Sequence, residues 1–308
     1  MSESVEVDLS LRHAQVAFMS YALYRPVIEQ ASTQPALWRL FAGLVTVLLV
    51  TVVWSMDVFF FATVVLARDL FGLFAGSPGP FETILTLIFI LGLGFGAWAA
   101  GRNWHGRSLR SLIGRGPRSL RDFFWAALLT WAVAGSFWAL TLVISDPLTP
   151  NLPFDEWLAW LPVALIAILL QTGSEELLFR GYLQSQLAAR FGTVWVWMLV
   201  PSLMFGALHF LPGDTLAPGL VYVGLTTLFG VIAADLTART GSIGAAWGLH
   251  FANNCIAILV VVYLGAASGL GLYSAGPVEE ALALSPILLM DVLILVLIWL
   301  VIRRAVTR

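Results

Sequence analysis

The stretch LPVALIAILLQTGSEELLFRGYL, residues 161–183, is an apolar run of helix length that contains Glu175, Glu176 and Arg180. A bilayer core takes about 20 apolar helical residues. A charged side chain near the bilayer centre costs on the order of 2.5–3.5 kcal/mol on insertion scales. Three ionisable groups in one apolar run therefore indicate a functional site inside a membrane-spanning helix.

Two further apolar runs carry polar side chains. Residues 194–209 read VWVWMLVPSLMFGALH and place His209 four residues after Phe205. Residues 244–254 read GAAWGLHFANN and place Asn254 four residues after His250. Acid, base and potential metal ligands at membrane depth predict hydrolytic chemistry within the bilayer.

The composition predicts an all-α, polytopic integral membrane protein. The chain has 308 residues, of which 59% are hydrophobic and 11% are charged, whereas an average soluble protein carries about 25% charged residues. The formal net charge of −2 gives no reason to expect a nucleic acid partner. The single cysteine, Cys255, excludes a disulfide within the chain.

The pattern of apolar runs predicts about eight transmembrane helices. They lie at about 38–67, 81–101, 122–145, 157–178, 194–211, 217–236, 243–265 and 284–302, and the fourth is expected to continue as helix to Arg190. Residues 1–37 precede the first span and are predicted to be a cytoplasmic or interfacial segment. Gly92 with Gly96 and Gly244 with Gly248 form small-xxx-small patterns, which allow helices to approach closely.

The charges of the loops predict the orientation in the membrane. Basic residues cluster between the second and third spans, at Arg102, Arg107, Arg110, Arg115, Arg118 and Arg121. Acidic residues lie in the alternate loops, at Asp146, Asp155, Glu156, Asp214, Glu279 and Glu280. The positive-inside rule then places both termini in the cytoplasm, and we expect the membrane to be a bacterial plasma membrane.

The spacing of the polar clusters allows them to meet. Glu175 and His209 are each 17 residues from Gly192, so in an antiparallel pair that turns there both lie about 25 Å from the turn. His250 lies about 13 Å into the seventh span. The three side chains lie at the same depth in the membrane if the antiparallel pair that turns at Gly192 protrudes into the cytoplasm by roughly 10 Å. Without that protrusion the site does not form.

Helical phasing separates the two carboxylates. Glu176 and Arg180 share a helix face and are predicted to form an ion pair, while Glu175 points about 100° away and stays free for chemistry. His250 and Asn254 also share a face. Phe205 lies on the face of His209 and is predicted to line the pocket.

These residue types permit peptide hydrolysis in two ways. In the first, Glu175 is the general base that activates water, because an apolar setting makes a carboxylate more basic. His209 then orients the water, and His250 and Asn254 stabilise the oxyanion. In the second, Glu175, His209 and His250 bind zinc or another divalent metal, a typical catalytic ligand set. The sequence alone leaves both alternatives open, and it lacks an HExxH motif.

The strings SEELLFRG (174–181), FGALH (205–209) and HFANN (250–254) resemble the CPBP family of intramembrane proteases, the CAAX proteases and bacteriocin-processing enzymes also called the Abi family. The family pattern is EExxxR, FxxxH and HxxxN or HxxxD on successive spans. The resemblance covers about residues 158–265. It implies an all-helical intramembrane endopeptidase that acts on a membrane-associated peptide or protein, in CAAX-type processing, bacteriocin maturation or self-immunity.

The resemblance also divides the chain. Residues 158–265 form the protease core, residues 38–157 are N-terminal transmembrane helices, and residues 266–308 contain a loop, the last span and a cytoplasmic tail. The competing hypothesis is a membrane protein without catalytic activity, either a transporter or a scaffold. A transporter would be expected to show interrupted spans or an inverted repeat, and we find neither pattern in the sequence.

Overall fold

The computed structural model describes residues 21–68, 78–114, 116–144, 148–210, 216–264, 268–277 and 286–306. It confirms an all-α, polytopic membrane fold. The described helices are α1 Arg25–Ala31, α2 Leu37–Phe60, α3 Pro80–Phe89, α4 Leu91–His105, α5 Leu109–Ile113, α6 Gly116–Ile144, α7 Phe154–Glu176, α8 Val194–Leu208, α9 Leu216–Thr240, α10 Gly244–Cys255 and α11 Pro286–Val306.

Three of these helices continue in another helical form. A π-helical stretch, Phe61–Val65, extends α2. Helix α7 continues through the π-helical residues Leu177–Gln184 and ends at Ala188 after a last α-helical turn, close to the predicted end at Arg190. Helix α10 continues as the π-helical stretch Ile256–Val260. Single π-helical turns within α-helices occur frequently at functional sites, and two of these adjoin the sequence motifs.

Each of the eight predicted spans contains a described helix. Four helical runs in the described part are long and apolar enough to cross a membrane, namely Leu37–Val65, Pro80–His105, Phe154–Ala188 and Leu216–Thr240. Val194–Leu208 and Gly244–Val260 are apolar but shorter. The number eight therefore stays a prediction. Residues 1–20 of the predicted interfacial segment, and the loop acids Asp146, Asp214, Glu279 and Glu280, lie outside the described residues.

The seventh predicted span needs a correction. The sequence predicts helix over 243–265, but the helical conformation ends at Val260 and Val261–Leu264 forms strand β2. Val261 has extended backbone angles, φ −125° and ψ 114°. Because β-branched residues favour strands, Val261 and Val262 leave the helix where a partner strand is available.

That partner is strand β3, Tyr273–Pro277, which lies between β2 and the short strand β1, Thr149–Pro150. Strand β3 runs parallel to β2 and antiparallel to β1. The side chain of Asn151 donates to the carbonyl oxygens of Ser268 at 3.0 Å and Gly271 at 2.7 Å. The sheet therefore covers the end of the molecule where α7 begins and the helical part of α10 ends.

The predicted glycine patterns lie at close helix contacts. A Cβ atom added at Gly92 would lie 2.8 Å from Cα of Thr51, and one added at Gly96 would lie 2.7 Å from Cα of Val47. Gly244 and Gly248 lie against backbone oxygen atoms of helix α6. These contacts bring α4 against α2 and α10 against α6. Held in this way, α10 presents its polar face to α7.

Candidate active site

The charged side chains of α7 converge on His250 of α10. Oε1 of Glu176 accepts a hydrogen bond from Nη1 of Arg180 at 2.9 Å and faces Nδ1 of His250 at 2.8 Å. The Arg180 guanidinium also lies 4.7 Å from the ring centre of Phe205. The predicted Glu176–Arg180 ion pair is confirmed. Its carboxylate has a second role that the sequence reasoning missed, because it also orients the imidazole of His250.

Glu175 lies on the other side of the same imidazole. Its Oε2 is 3.4 Å from Nε2 of His250, yet it makes no hydrogen bond in the described part of the chain and is shielded from solvent. The distance fits an ion pair but the geometry does not fit a hydrogen bond. A buried polar atom without a partner is rare in native structures and often marks a functional position. The prediction that Glu175 stays available is consistent with this arrangement.

Phe205 connects the histidine of α8 to the cluster. The ring of Phe205 lies 4.4 Å from that of His209 and 5.8 Å from that of His250, measured between ring centres. Phe229 covers another side of His250, with ring centres 5.1 Å apart. The prediction that Phe205 lines the pocket is consistent with these contacts.

His209 joins the site less directly than predicted. It follows the last residue of α8, and its Nδ1 lies 2.8 Å from the carbonyl oxygen of Phe205. Its other aromatic contact is with Tyr222, at 6.2 Å between ring centres. In the described part of the chain His209 therefore contacts the cluster through Phe205, and no hydrogen bond or ion pair joins it to Glu175.

The hydrogen bonds determine which nitrogen of each neutral imidazole carries the proton. A carbonyl oxygen only accepts, so Nδ1 of His209 is the donor and its Nε2 is left with a lone pair. A carboxylate likewise accepts, so Nδ1 of His250 donates to Glu176. This leaves Nε2 of His250 facing Glu175. Hydrogen bonds of this kind fix the orientation of catalytic and metal-binding histidines.

Asn254 joins the site through a residue that the motifs do not include. Its Nδ2 donates to Oε1 of Gln171 at 3.1 Å, and its Oδ1 accepts from Nδ2 of Asn253 at 3.3 Å. Gln171 is buried in α7, four residues before Glu175. The signal in the sequence was an amide on the face of Glu175 within an otherwise apolar run.

The predicted metal ligands do not form a ready-made cluster. Among the residues that the structure describes, no three His, Cys, Asp or Glu side chains are grouped as a metal-binding set. The lone pairs of Glu175 Oε2 and His209 Nε2 have the right chemistry for a divalent metal. The metal alternative therefore stays a prediction. Ser174, beside the cluster, donates its hydroxyl to the carbonyl oxygen of Leu170 at 2.8 Å.

Comparison with family models supports the resemblance to the CPBP family of intramembrane proteases that the three motifs carry, over the part of the chain that contains them. Residues 156–256 match the model described as type II CAAX prenyl endopeptidase, Rce1-like. The match runs from the start of α7 to just beyond Asn254 and includes every residue of the cluster. The family indicates a protease that hydrolyses peptide bonds.

Among curated proteins, the chain is similar to a Bacillus subtilis (strain 168) protein described as uncharacterized protein YyaK, with 34% identity over 131 residues. The similar region covers 41% of this chain and 43% of that relative. No solved structure matches the chain.

Proposed function

We propose that this protein is an intramembrane endopeptidase in which Glu175 activates the attacking water. The observation that carries the proposal is the buried Oε2 of Glu175, which lacks a hydrogen-bond partner and lies 3.4 Å from Nε2 of His250. A water molecule that bridges Glu175 and a substrate carbonyl would donate the hydrogen bond that this oxygen lacks.

The proposed reaction follows the atoms of the cluster. Glu175 accepts a proton from water, and the hydroxide oxygen attacks the carbonyl carbon of the scissile bond. The carbonyl oxygen then carries the negative charge of the tetrahedral intermediate. Glu175 returns the proton to the leaving nitrogen as the carbon–nitrogen bond breaks, so the enzyme ends in its starting state.

His250 and Asn254 supply the donors for the oxyanion. Glu176 holds the ring of His250 in place through Nδ1, and a proton on Nε2 makes that nitrogen the donor to the oxyanion. Preorganised donors of this kind contribute about 2.7–4 kcal/mol each to transition-state stabilisation.

His209 offers its Nε2 lone pair to the pocket. In the metal-free mechanism it accepts a hydrogen bond from the attacking water and so orients it. In the alternative, a divalent metal such as zinc would be held by Glu175, His209 and His250, and it would supply Lewis-acid activation of the water. A chelator distinguishes the two mechanisms.

The substrate is proposed to be a membrane-associated protein or peptide. The matching family model is described by its activity on CAAX prenyl proteins, so a prenylated C-terminus is the first class to test. Bacteriocin maturation and self-immunity are the other roles that the resemblance implies. If the host makes no prenylated proteins, CAAX processing is excluded. We place the protein in the bacterial plasma membrane with both termini in the cytoplasm.

The test uses purified full-length protein in lipid nanodiscs and two probes: a farnesylated CAAX peptide and an unmodified membrane-inserting peptide. Products are identified by mass spectrometry with and without a chelator. Glu175→Ala is expected to abolish cleavage while the variant stays inserted and folded, and the exposed Glu29→Ala serves as the matched control. Cleavage that survives in Glu175→Ala, or the absence of cleavage of both probes by the wild-type protein, would refute the proposal.

A further inference from the structure

Gln171 is a buried amide in the middle of α7. Its side chain is 3% exposed, and its Oε1 accepts the hydrogen bond from Nδ2 of Asn254 at 3.1 Å. Burying an amide without a partner is unfavourable in proteins. Because leucine at this position would carry no such cost, the amide calls for an explanation beyond packing.

Gln171 and Asn254 form a second contact beside the catalytic one. Gln171 and Glu175 are four residues apart on α7, and Asn254 and His250 are four residues apart on α10, so each pair shares a helix face. The two helices therefore meet through two neighbouring contacts. One joins Glu175 and His250, and the other joins Gln171 and Asn254.

The contact fixes the orientation of the Asn254 side chain. An amide nitrogen carries two hydrogens, and an amide oxygen accepts. One N–H of Asn254 is donated to Gln171, and Oδ1 of Asn254 accepts from Asn253. Because the amide group is planar, these two bonds set the direction of the remaining N–H. It is the donor that the proposed mechanism assigns to the oxyanion.

We propose that Gln171 is a positioning residue, which holds Asn254 so that its second N–H donates to the oxyanion. This inference rests on the proposed function. Gln171 itself does not touch the reacting atoms. Its loss therefore weakens transition-state stabilisation through Asn254 and leaves ground-state binding of the substrate unchanged.

The alternative is that Gln171 only joins α7 to α10, and Gln184 provides the matched control. Gln184 lies further along the same helical run, is fully buried, and donates through Nε2 to the carbonyl oxygen of Ala234 at 3.0 Å. It therefore makes the same kind of contact between helices, away from the catalytic residues. If both amides were purely structural, replacing Gln171 and replacing Gln184 would have the same effect on kcat.

The experiment compares Gln171→Met with Gln184→Met on a fluorescence-quenched farnesylated CAAX peptide. Methionine keeps the length of the side chain and removes the amide. We expect Gln171→Met to lower kcat about 10- to 100-fold, as the loss of an outer-shell orienting group typically does, with KM unchanged. Gln184→Met is expected to retain the wild-type kcat. Gln171→Asn retains an amide but is too short to reach Asn254, and it should repeat the loss if the methionine variant does not fold.

A double-mutant cycle with Asn254→Ala tests whether Gln171 affects kcat through Asn254. If Gln171 acts through Asn254, Gln171→Met changes kcat by less than about twofold once Asn254 is alanine, because residues that act together are not additive. The inference would be overturned if Gln171→Met lowered kcat as much in the Asn254→Ala background as in the wild type. Equal losses of kcat in Gln171→Met and Gln184→Met would also overturn it. An inactive Glu175→Ala and a slowed Asn254→Ala, together with a fully active Gln171→Met, would reject the role of Gln171 alone. Active Glu175→Ala would instead reject the proposed function.

Discussion

Glu175 and Glu176 show how one residue type takes two roles at adjacent positions. Glu176 is fully buried and faces both Arg180 and His250 within 2.9 Å. Glu175 is also buried, and in the described part of the chain Oε2 of each carboxylate lacks a hydrogen bond. The two residues differ at Oε1 of Glu176, which Arg180 and His250 hold. The helical rotation of about 100° between neighbours directs one carboxylate to the supporting arginine and the other to the pocket.

The same substitution at both positions should therefore separate stability from chemistry. Glu176→Gln leaves the buried guanidinium of Arg180 without its counter-charge. Removing one partner of a buried ion pair costs about 3–5 kcal/mol, so we expect a marked fall in the thermal unfolding midpoint in detergent. Glu175→Gln removes a carboxylate whose Oε2 lacks a hydrogen bond, and it should change stability by less than about 1 kcal/mol. Both variants should lose cleavage.

Each variant is the control for the other, because only the position differs. Equal losses of stability would contradict the division of roles. A stable Glu176→Gln variant with full activity would show that the orientation of His250 does not depend on Glu176.

At the element scale, helix contacts depend on glycines whose surroundings differ sharply. Gly96→Ala would place a Cβ atom 2.7 Å from Cα of Val47, and backbone atoms cannot move aside easily. Overpacking of this kind typically costs about 1–3 kcal/mol, so we expect a lower unfolding midpoint for Gly96→Ala. Gly224 lies in α9 with no atom within 4 Å of an added Cβ. Gly224→Ala should leave the midpoint unchanged or raise it, and equal effects at the two positions would contradict the close packing of α4 on α2.

The segment before α2 docks through two tyrosines with opposite hydrogen-bond status. The Tyr21 hydroxyl donates to Oδ1 of Asp235 at 2.9 Å, whereas the buried Tyr24 hydroxyl has no partner in the described part of the chain. Tyr21→Phe should lower stability by about 1 kcal/mol. Tyr24→Phe removes a buried unpaired group and should raise stability or leave it unchanged. Thermal unfolding of the two variants in parallel measures the difference.

The stability difference between Tyr21→Phe and Tyr24→Phe is expected over a defined pH range. Burial, and then the Asp235 carboxylate, raise the pKa of Tyr21 to about 12. The protonated phenol is therefore favoured in the folded state, and its contribution holds below the ordinary tyrosine value near 10 and is lost as the pH rises through about 12. The difference between the variants should be constant from pH 6 to 9. A larger loss of stability in Tyr24→Phe than in Tyr21→Phe would contradict the assignment of the hydrogen bond to Tyr21.

Periodic features of the elements were predictable from the sequence, and contacts between elements were less so. The apolar runs gave a helix in every predicted span, and i,i+4 spacing gave the Glu176–Arg180 pair. Gln171 lies on the face of Glu175, but its contact was missed because its partner Asn254 is 83 positions away. Strand β2 was missed because valine suits both a membrane helix and a strand, so its pairing with β3 decides the conformation.

At the scale of the whole molecule, the two ends of α7 differ in chemistry. The small sheet of β1, β3 and β2 covers the end where α7 begins. Near the other end, Arg107 donates to the hydroxyl of Ser185 at 2.6 Å, and Arg190 donates to backbone oxygen atoms at positions 34 and 36. The Arg-rich connection therefore packs at the end of α7 that follows the motif. The positive-inside rule predicts that this end faces the cytoplasm, and the site would then be reached from that side.

This orientation can be tested directly, because the chain has only one cysteine. Cys255 is buried, and Cys255→Ser gives a background for single-cysteine labelling. Arg110 and Asp155 are exposed residues on either side of α6, so cysteines placed there should lie on opposite sides of the membrane. In intact cells a membrane-impermeant maleimide should label Asp155→Cys, and it should label Arg110→Cys only after permeabilisation. The reverse pattern would place the Arg-rich connection outside, and a peptide substrate in the cytoplasm would then have no access from that end. Labelling of both positions in intact cells would show that α6 does not cross the membrane. The predicted alternation of cytoplasmic and external loops, which sets the depth of Glu175 and His250, would then be wrong.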